Sequence, residues 1–258
     1  MRLGVSSLHL IGKPFSSLLE AIRTYDVDLW EIVDDDTLTL TYERTKALLD
    51  LKRSLGIDYT VHAPFADMNI AAVNESFRRM TIERLKRSLE YAQAIEAQLW
   101  VFHPGIHSGL SLFYPGRDMD TCVLSVKELS ETAEQGGVPI VIENMPSAIA
   151  FLLRENRDFE LFYRLSDTVA PNMVFDIGHA NTTDQIERFF DGQSGRIVHL
   201  HVHDNNGKMD SHDKVGDGTV PWKIVASRLA SMGFKGSVMV ESVREVPESI
   251  IAVRRLLS

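Results

Sequence analysis

The chain holds one cysteine, Cys122, in 258 residues. That excludes an intramolecular disulfide framework and fits a reducing compartment, so a cytoplasmic location is expected. Cys122 lies in a helical pattern, where a buried, inert thiol is the natural reading. No window offers eighteen uncharged apolar residues, so no membrane-spanning helix is expected. The opening MRLGVSSLHLIGKP has too short an apolar run for a secretory signal, and Lys13-Pro14 interrupts it. Positive charge is also scarce, and the formal net charge is −9. A duplex-binding protein draws affinity from Lys and Arg set against phosphates, so this balance argues against nucleic acid as a partner without forbidding a local basic cleft. Low-complexity segments, linkers and sequence repeats are missing as well. The 44% apolar and 24% charged content is ordinary for a globular protein.

What is present is a strand-then-helix rhythm. Apolar runs at 2–8, 28–33, 58–61, 99–102, 138–142, 172–175 and 237–240, with a histidine-bearing run after Gly195, read as eight strands. Helical spacing occupies 16–25, 42–55, 75–97, 119–135, 158–166, 184–190, 222–232 and 246–257. Gly56, Gly136-Gly137 and Gly233 stand where helix C-caps belong. Nearly continuous apolar strands such as VPIVI and SVMV suit a parallel sheet buried on both faces. Eight such units in this length predict an α/β protein, a single (β/α)8 barrel spanning 1–258.

The unusual residues fall at the ends of these strands. His62, His103, Glu143, Asp176, His201 and Glu241 each follow or close an apolar run, and in such a barrel those ends gather at one rim. No basic residue sits at any strand end, apart from Arg244 just beyond the eighth. A carboxylate left there without a cation or hydrogen-bond donor is costly, so a divalent metal is expected. The stretch 196–222 is the densest part: His199, His201 and His203 alternate with Leu200 and Val202, which puts three rings on one face of a strand. Asp210, His212, Asp213 and Asp217 follow in a polar loop. Imidazoles beside carboxylates are what Zn²⁺, Mn²⁺ and Mg²⁺ sites draw on to varying degrees, and one to three ions are expected. Asp176 and His179 suit a strand end turning back on itself, and Pro64 and Pro104 stiffen the turns that aim His62 and His103.

The ordered motifs VHAP, FHPG, IEN, FDIGH, HVHD, DSH and VES resemble the xylose isomerase-like TIM-barrel superfamily over nearly the whole chain. That group contains sugar and sugar-phosphate isomerases and epimerases together with the endonuclease IV family. Resemblance to endonuclease IV implies three zinc ions on nine residues, whose matching positions are His62, His103, Glu143, Asp176, His179, His201, Asp210, His212 and Glu241. Resemblance to the epimerases implies one ion on Glu143, Asp176, His201 and Glu241, with the two glutamates as acid/base groups and His179 touching substrate. The chain departs from the endonuclease pattern at Phe65, where that family commonly has Tyr. It also carries Asp34, Asp35 and Asp36 after the second strand, where acids would repel a DNA backbone.

The resulting expectation is a metal-dependent isomerase or epimerase of a small sugar, polyol or sugar phosphate. The alternatives are a multinuclear zinc phosphoesterase and a barrel that keeps its metal site without catalysis. Glu31, His203 and Trp222 are candidate substrate contacts. His203 is also a candidate for orienting His201, and Trp222 for closing over a sugar ring. His199 is expected to pack inside the barrel, with His9 and His107 at helix caps or the surface. Oligomerisation is compatible with the sequence.

Overall fold

Eight parallel strands pair in chain order and close into a barrel, with β1 (Arg2–Ser6) hydrogen-bonded to both β2 (Leu29–Val33) and β8 (Ser237–Val240). Between them run β3 (Asp58–His62), β4 (Trp100–Phe102), β5 (Ile140–Glu143), β6 (Asn172–Asp176) and β7 (Ile197–Val202). This computed structural model describes residues 1–166 and 170–257. The helices are α1 (Phe15–Thr24), α2 (Tyr42–Leu55), α3 (Glu75–Ala94), α4 (Arg117–Gly136), α5 (Asn156–Ser166), α6 (Ile177–Thr182), α7 (Ile186–Gln193), α8 (Trp222–Ser231) and α9 (Val246–Leu257). The expected (β/α)8 barrel is therefore the observed fold, and no helix among the described residues is long and apolar enough to cross a membrane.

Local chemistry sets the boundaries. Thr41 caps α2 by accepting from the Arg44 N–H, and Gly56 ends it in the left-handed region at φ 69°. Alternation along each strand sends one set of side chains outward to the helices and the other into the barrel. Leu200 and Val202 belong to the large core beneath the helices, whereas Val101, Val141 and Val174 form a separate cluster. Two residues beyond each of those valines, on the same strand face, stand His103, Glu143 and Asp176. On these three strands the barrel interior is thus apolar beneath the rim and ionisable at it.

Helix α6 corrects the sequence reading. Asp176 and His179 do not face one centre through a strand turned back. Asp176 is the N-cap of α6, and its Oδ1 accepts from the His179 N–H at 2.7 Å. The polar run after Gly178 reads as loop because its helix-forming signal lies in the cap itself, an acid already assigned another task.

Candidate metal centre

The nine expected ligand positions converge on one mouth. His62, Glu143 and Asp176 end their strands, His201 is the penultimate residue of β7, and His103 and Glu241 come directly after β4 and β8. Sheet register sets Asp176 beside His201. His179 enters from α6, and Asp210 and His212 from the loop after β7. Four sets have ligating atoms within 4.8 Å of one another: His62, His103 and Glu143; Glu143, Asp176, His201 and Glu241; His179, His203, Asp210 and His212; and, deeper in the barrel, Glu31, His199 and His201. Glu143 is common to the first two. His62 Nε2 and His103 Nε2 lie 3.4 Å and 3.3 Å from Glu143 Oε2, and His201 Nδ1 lies 2.9 Å from Glu143 Oε1. In the third set, His179 Nε2 and His212 Nε2 lie 3.1 Å and 3.3 Å from Asp210 Oδ2.

Main-chain carbonyls decide which imidazole nitrogen is offered. His62 Nδ1 donates to Ala63 O at 2.8 Å, His179 Nδ1 to Asn144 O at 2.7 Å, and His212 Nδ1 to Glu241 O at 3.0 Å. A carbonyl only accepts, so each Nδ1 carries hydrogen and each Nε2 faces the centre. His201 is reversed: Nδ1 faces the centre, and Nε2 lies 3.1 Å from Glu31 Oε1. Gly178 makes room for His203, since a Cβ there would come within 2.1 Å of the ring. His212 adopts φ 47°, a left-handed conformation costing a non-glycine residue about 1–3 kcal/mol. Its carbonyl accepts from the Val243 N–H at 3.0 Å, which holds it there.

Electrostatics test whether these residues suit a cation. Two carboxylates within 4.8 Å repel by about 3–4 kcal/mol at an effective dielectric of 20. Among the described residues, no Lys or Arg pairs with Glu143, Asp176, Asp210 or Glu241. Glu143 Oε2, Asp176 Oδ2 and Asp210 Oδ1 are buried without a hydrogen-bond partner. Oxygen and imidazole ligands, unpartnered carboxylate oxygens and a missing protein cation fit a divalent metal. Without one, the histidines carry the compensating charge. Burial pulls His62 down and His212 down, but Glu143 and Asp210 respectively outweigh it and push both up to about 9. Burial likewise opposes ionisation of Glu143, yet His201, His103 and His62 hold its carboxyl well below the usual range. Glu241 goes the other way, raised by burial and by the charges of Glu143 and Glu31.

Three expected substrate contacts are placed elsewhere. Glu31 is fully buried below the rim, where Oε2 accepts from Thr60 Oγ1 at 3.0 Å and lies 3.2 Å from His199 Nε2. It has the right strand face but the wrong height. His203 is also fully buried; its ring stacks on His212 with centroids 3.8 Å apart, and Nε2 lies 3.2 Å from Asp176 Oδ1. It joins the third set instead of orienting His201. Trp222 turns from the mouth and packs with Val202, Val225 and Leu229, while its Nε1 donates to Asp204 Oδ2 at 2.7 Å. Nor do the acids after β2 form a repelling surface. Asp34 is buried against Arg84, and Asp35 accepts from the Phe65 and Ala66 N–H groups, leaving Asp36 exposed. His199 packs inside the barrel as expected, with Nδ1 2.5 Å from Ser237 Oγ. The Cys122 thiol is buried, and burial pushes it up to about 12.

The first three sets open into a cavity of 490 Å³. Its floor is His62, His103, Glu143, His179, Asp210, His212 and Glu241, and its wall includes Leu8, Val33, Phe65, Met145 and Phe151. Such a space suits a small molecule.

Comparison with known proteins agrees with this architecture. A family model described as xylose isomerase-like TIM barrel matches residues 19–256. An uncharacterised protein of Methanocaldococcus jannaschii is 33% identical over 245 residues, covering 94% of this chain and 84% of that protein. Fructoselysine 3-epimerase of Escherichia coli O157:H7 is 22% identical over 204 residues, covering 78% and 73%. A probable endonuclease 4 of Aquifex aeolicus is 21% identical over 207 residues, covering 74% and 70%. The crystal structure of a D-tagatose 3-epimerase-like protein superposes with a TM-score of 0.91 at 30% identity, covering 100% of this chain and 97% of that one.

Proposed function

The chain belongs to the xylose isomerase-like TIM-barrel family, and from that premise we propose that it is a divalent-metal-dependent epimerase or isomerase of a small keto sugar or related α-hydroxy ketone. One observation carries this reading: Glu143 from β5 and Glu241 from beyond β8 meet in a single four-residue ligand set on the floor of a 490 Å³ cavity. Sugar 3-epimerases among the sequence and structural relatives support it.

Moving a stereocentre next to a carbonyl requires a proton to leave one face of a carbon and another to arrive on the opposite face. Two carboxyl groups reaching in from strands on different sides of the mouth suit that task. One of Glu143 and Glu241 takes the first proton and the other returns one. An enediolate lies between the two steps. His179 lines the cavity beside both, with its tautomer fixed by Asn144. Glu143, Asp176, His201 and Glu241 would hold the cation, which when bound supplies Lewis-acid polarisation of the carbonyl.

Glu143→Gln and Glu241→Gln test the assignment. Each is expected to lower turnover, and deuterium uptake from D2O at the carbon beside the carbonyl, by about 10²–10⁴-fold. Unchanged exchange in both variants would overturn it. A second reading rests on the third ligand set, His179, His203, Asp210 and His212, which proton transfer does not require. It makes the chain a multinuclear phosphoesterase. Metal analysis separates the two: three tightly held ions per chain with phosphate-ester cleavage favour the second, one exchangeable ion with ketose turnover the first.

A further inference from the structure

The wall facing the ligand sets is the part of the cavity that the reaction leaves unused. Leu8, Val33, Phe65, Ile149, Phe151 and Val243 make up much of it. None of these side chains carries a hydrogen-bonding group, and no Lys or Arg lines the cavity among the described residues. The wall is held by main-chain hydrogen bonds around Phe151, while Ile149 and Val243 at its outer edge are 53% and 37% exposed. Ile106 and Phe151 form an antiparallel bridge, the Leu152 N–H donates to Gly105 O at 3.0 Å, and the Met145 N–H donates to Leu153 O at 3.1 Å. Gly105 sits at φ 92° with Asn69 packed against it, and a Cβ there would meet Asn69 Oδ1 at 2.4 Å.

A keto sugar held by its carbonyl end on the floor must put its remaining carbons against this wall. Their hydroxyls would leave water for side chains that offer them nothing, and buried unpaired hydroxyls are disfavoured. A phosphate would meet the same carbon surface with no Lys or Arg to receive it. Resting on the epimerase reading, we propose that the preferred substrate is an unphosphorylated α-hydroxy ketone whose far end is apolar, either a keto sugar deoxygenated there or one capped by a hydrocarbon group. The wall then acts as the specificity element, and the floor serves the chemistry alone.

The test uses the metal-loaded protein and a matched trio: a ketohexose, its 6-deoxy analogue and its 6-phosphate. Deuterium uptake beside the carbonyl, followed by NMR, gives kcat/KM for each. The 6-deoxy ketose is expected to lead its parent by about tenfold, mostly through KM, with the phosphate behind both. Parity, a lead for the hydroxylated parent, or a lead for the phosphate overturns the substrate class and leaves the epimerase reading standing. No exchange with any of the three overturns the epimerase reading, and this proposal with it. Phe151→Asn and Val243→Ser offer the wall a polar partner and are expected to bring the deoxy-to-parent ratio toward one. A ratio unmoved in both removes the wall from the recognition.

Discussion

On the floor of the cavity, seven ionisable side chains crowd together with carboxylate oxygens left unpartnered; across the gap, the wall presents hydrocarbon fixed by main-chain hydrogen bonds. Both regions come from the same strand ends and the loops that follow them. In the floor, protonated histidines offset the carboxylates, and a divalent cation would take over that charge. The wall needs nothing added. On the proposed reading the floor would carry the reaction and the wall the choice of what reacts, so substitutions in each should fail differently.

The largest separation is expected between Glu143→Gln and Phe151→Asn. The first should remove turnover by the factor given above while substrate still binds. The second should alter KM and leave kcat within a few-fold. Steady-state kinetics on one ketose checks both, and a kcat collapse in Phe151→Asn would erase the division.

Next comes Glu31, which faces His201 Nε2 in the way carbonyls face the Nδ1 atoms of His62, His179 and His212. Glu31→Gln should weaken metal affinity about 10–100-fold without removing a ligand. Calorimetric titration with Mn²⁺ or Zn²⁺ measures this, with circular dichroism confirming the fold. Affinity unchanged within twofold would leave Glu31 as packing only.

A smaller signal accompanies metal uptake. His62 and His212 stand near 9 in the cation-free chain, so at pH 7.5 both carry a proton on the nitrogen that faces the centre. Burial pulls His201, the imidazole of the proposed ligand set, down, but Glu241, Glu143 and Glu31 hold it well above its ordinary range, so protons should leave as the ion enters, read from calorimetry in buffers of different ionisation enthalpy. Because these are raised values, the release should fade as pH rises through them. The His62 and His212 rings stabilise the cation-free fold fully below their ordinary 6.5, an advantage also lost as pH passes 9. Proton release that stays constant between pH 7.5 and 10 would contradict the assignment.

The smallest effect is expected at Trp222, outside both regions. Trp222→Phe removes the hydrogen bond to Asp204 and should cost about 1–2 kcal/mol of stability in urea titration, with KM unchanged. A raised KM would return Trp222 to the substrate.

The barrel was legible because apolar runs and glycine caps are local signals, repeated at each unit. The positions of His62, His103, Glu143, Asp176, His201 and Glu241 were legible too, because an ionisable group after a buried strand has one rim to occupy. Height within the barrel was not. Alternation puts His199, His201 and His203 on a shared face, but a period of two says nothing about how far below the mouth each lies. The sequence therefore offers Glu31 to substrate, whereas the structure sets it beneath the candidate metal centre. Trp222 differs for another reason: an aromatic residue opening a helix after a polar loop looks the same whether it turns toward the mouth or toward α9. Only the acceptor, Asp204, decides, and nothing in the sequence marks it.

The carbonyl bonds to His62, His179 and His212 have an evolutionary reach. A main-chain oxygen has no codon of its own, so the aim of those three rings is insulated from drift in the side chains around them, and loops can be rewritten over them without spoiling it. His201 lacks that insurance. Its orientation is inherited through Glu31, so a single base change three strands away in the barrel could redirect it.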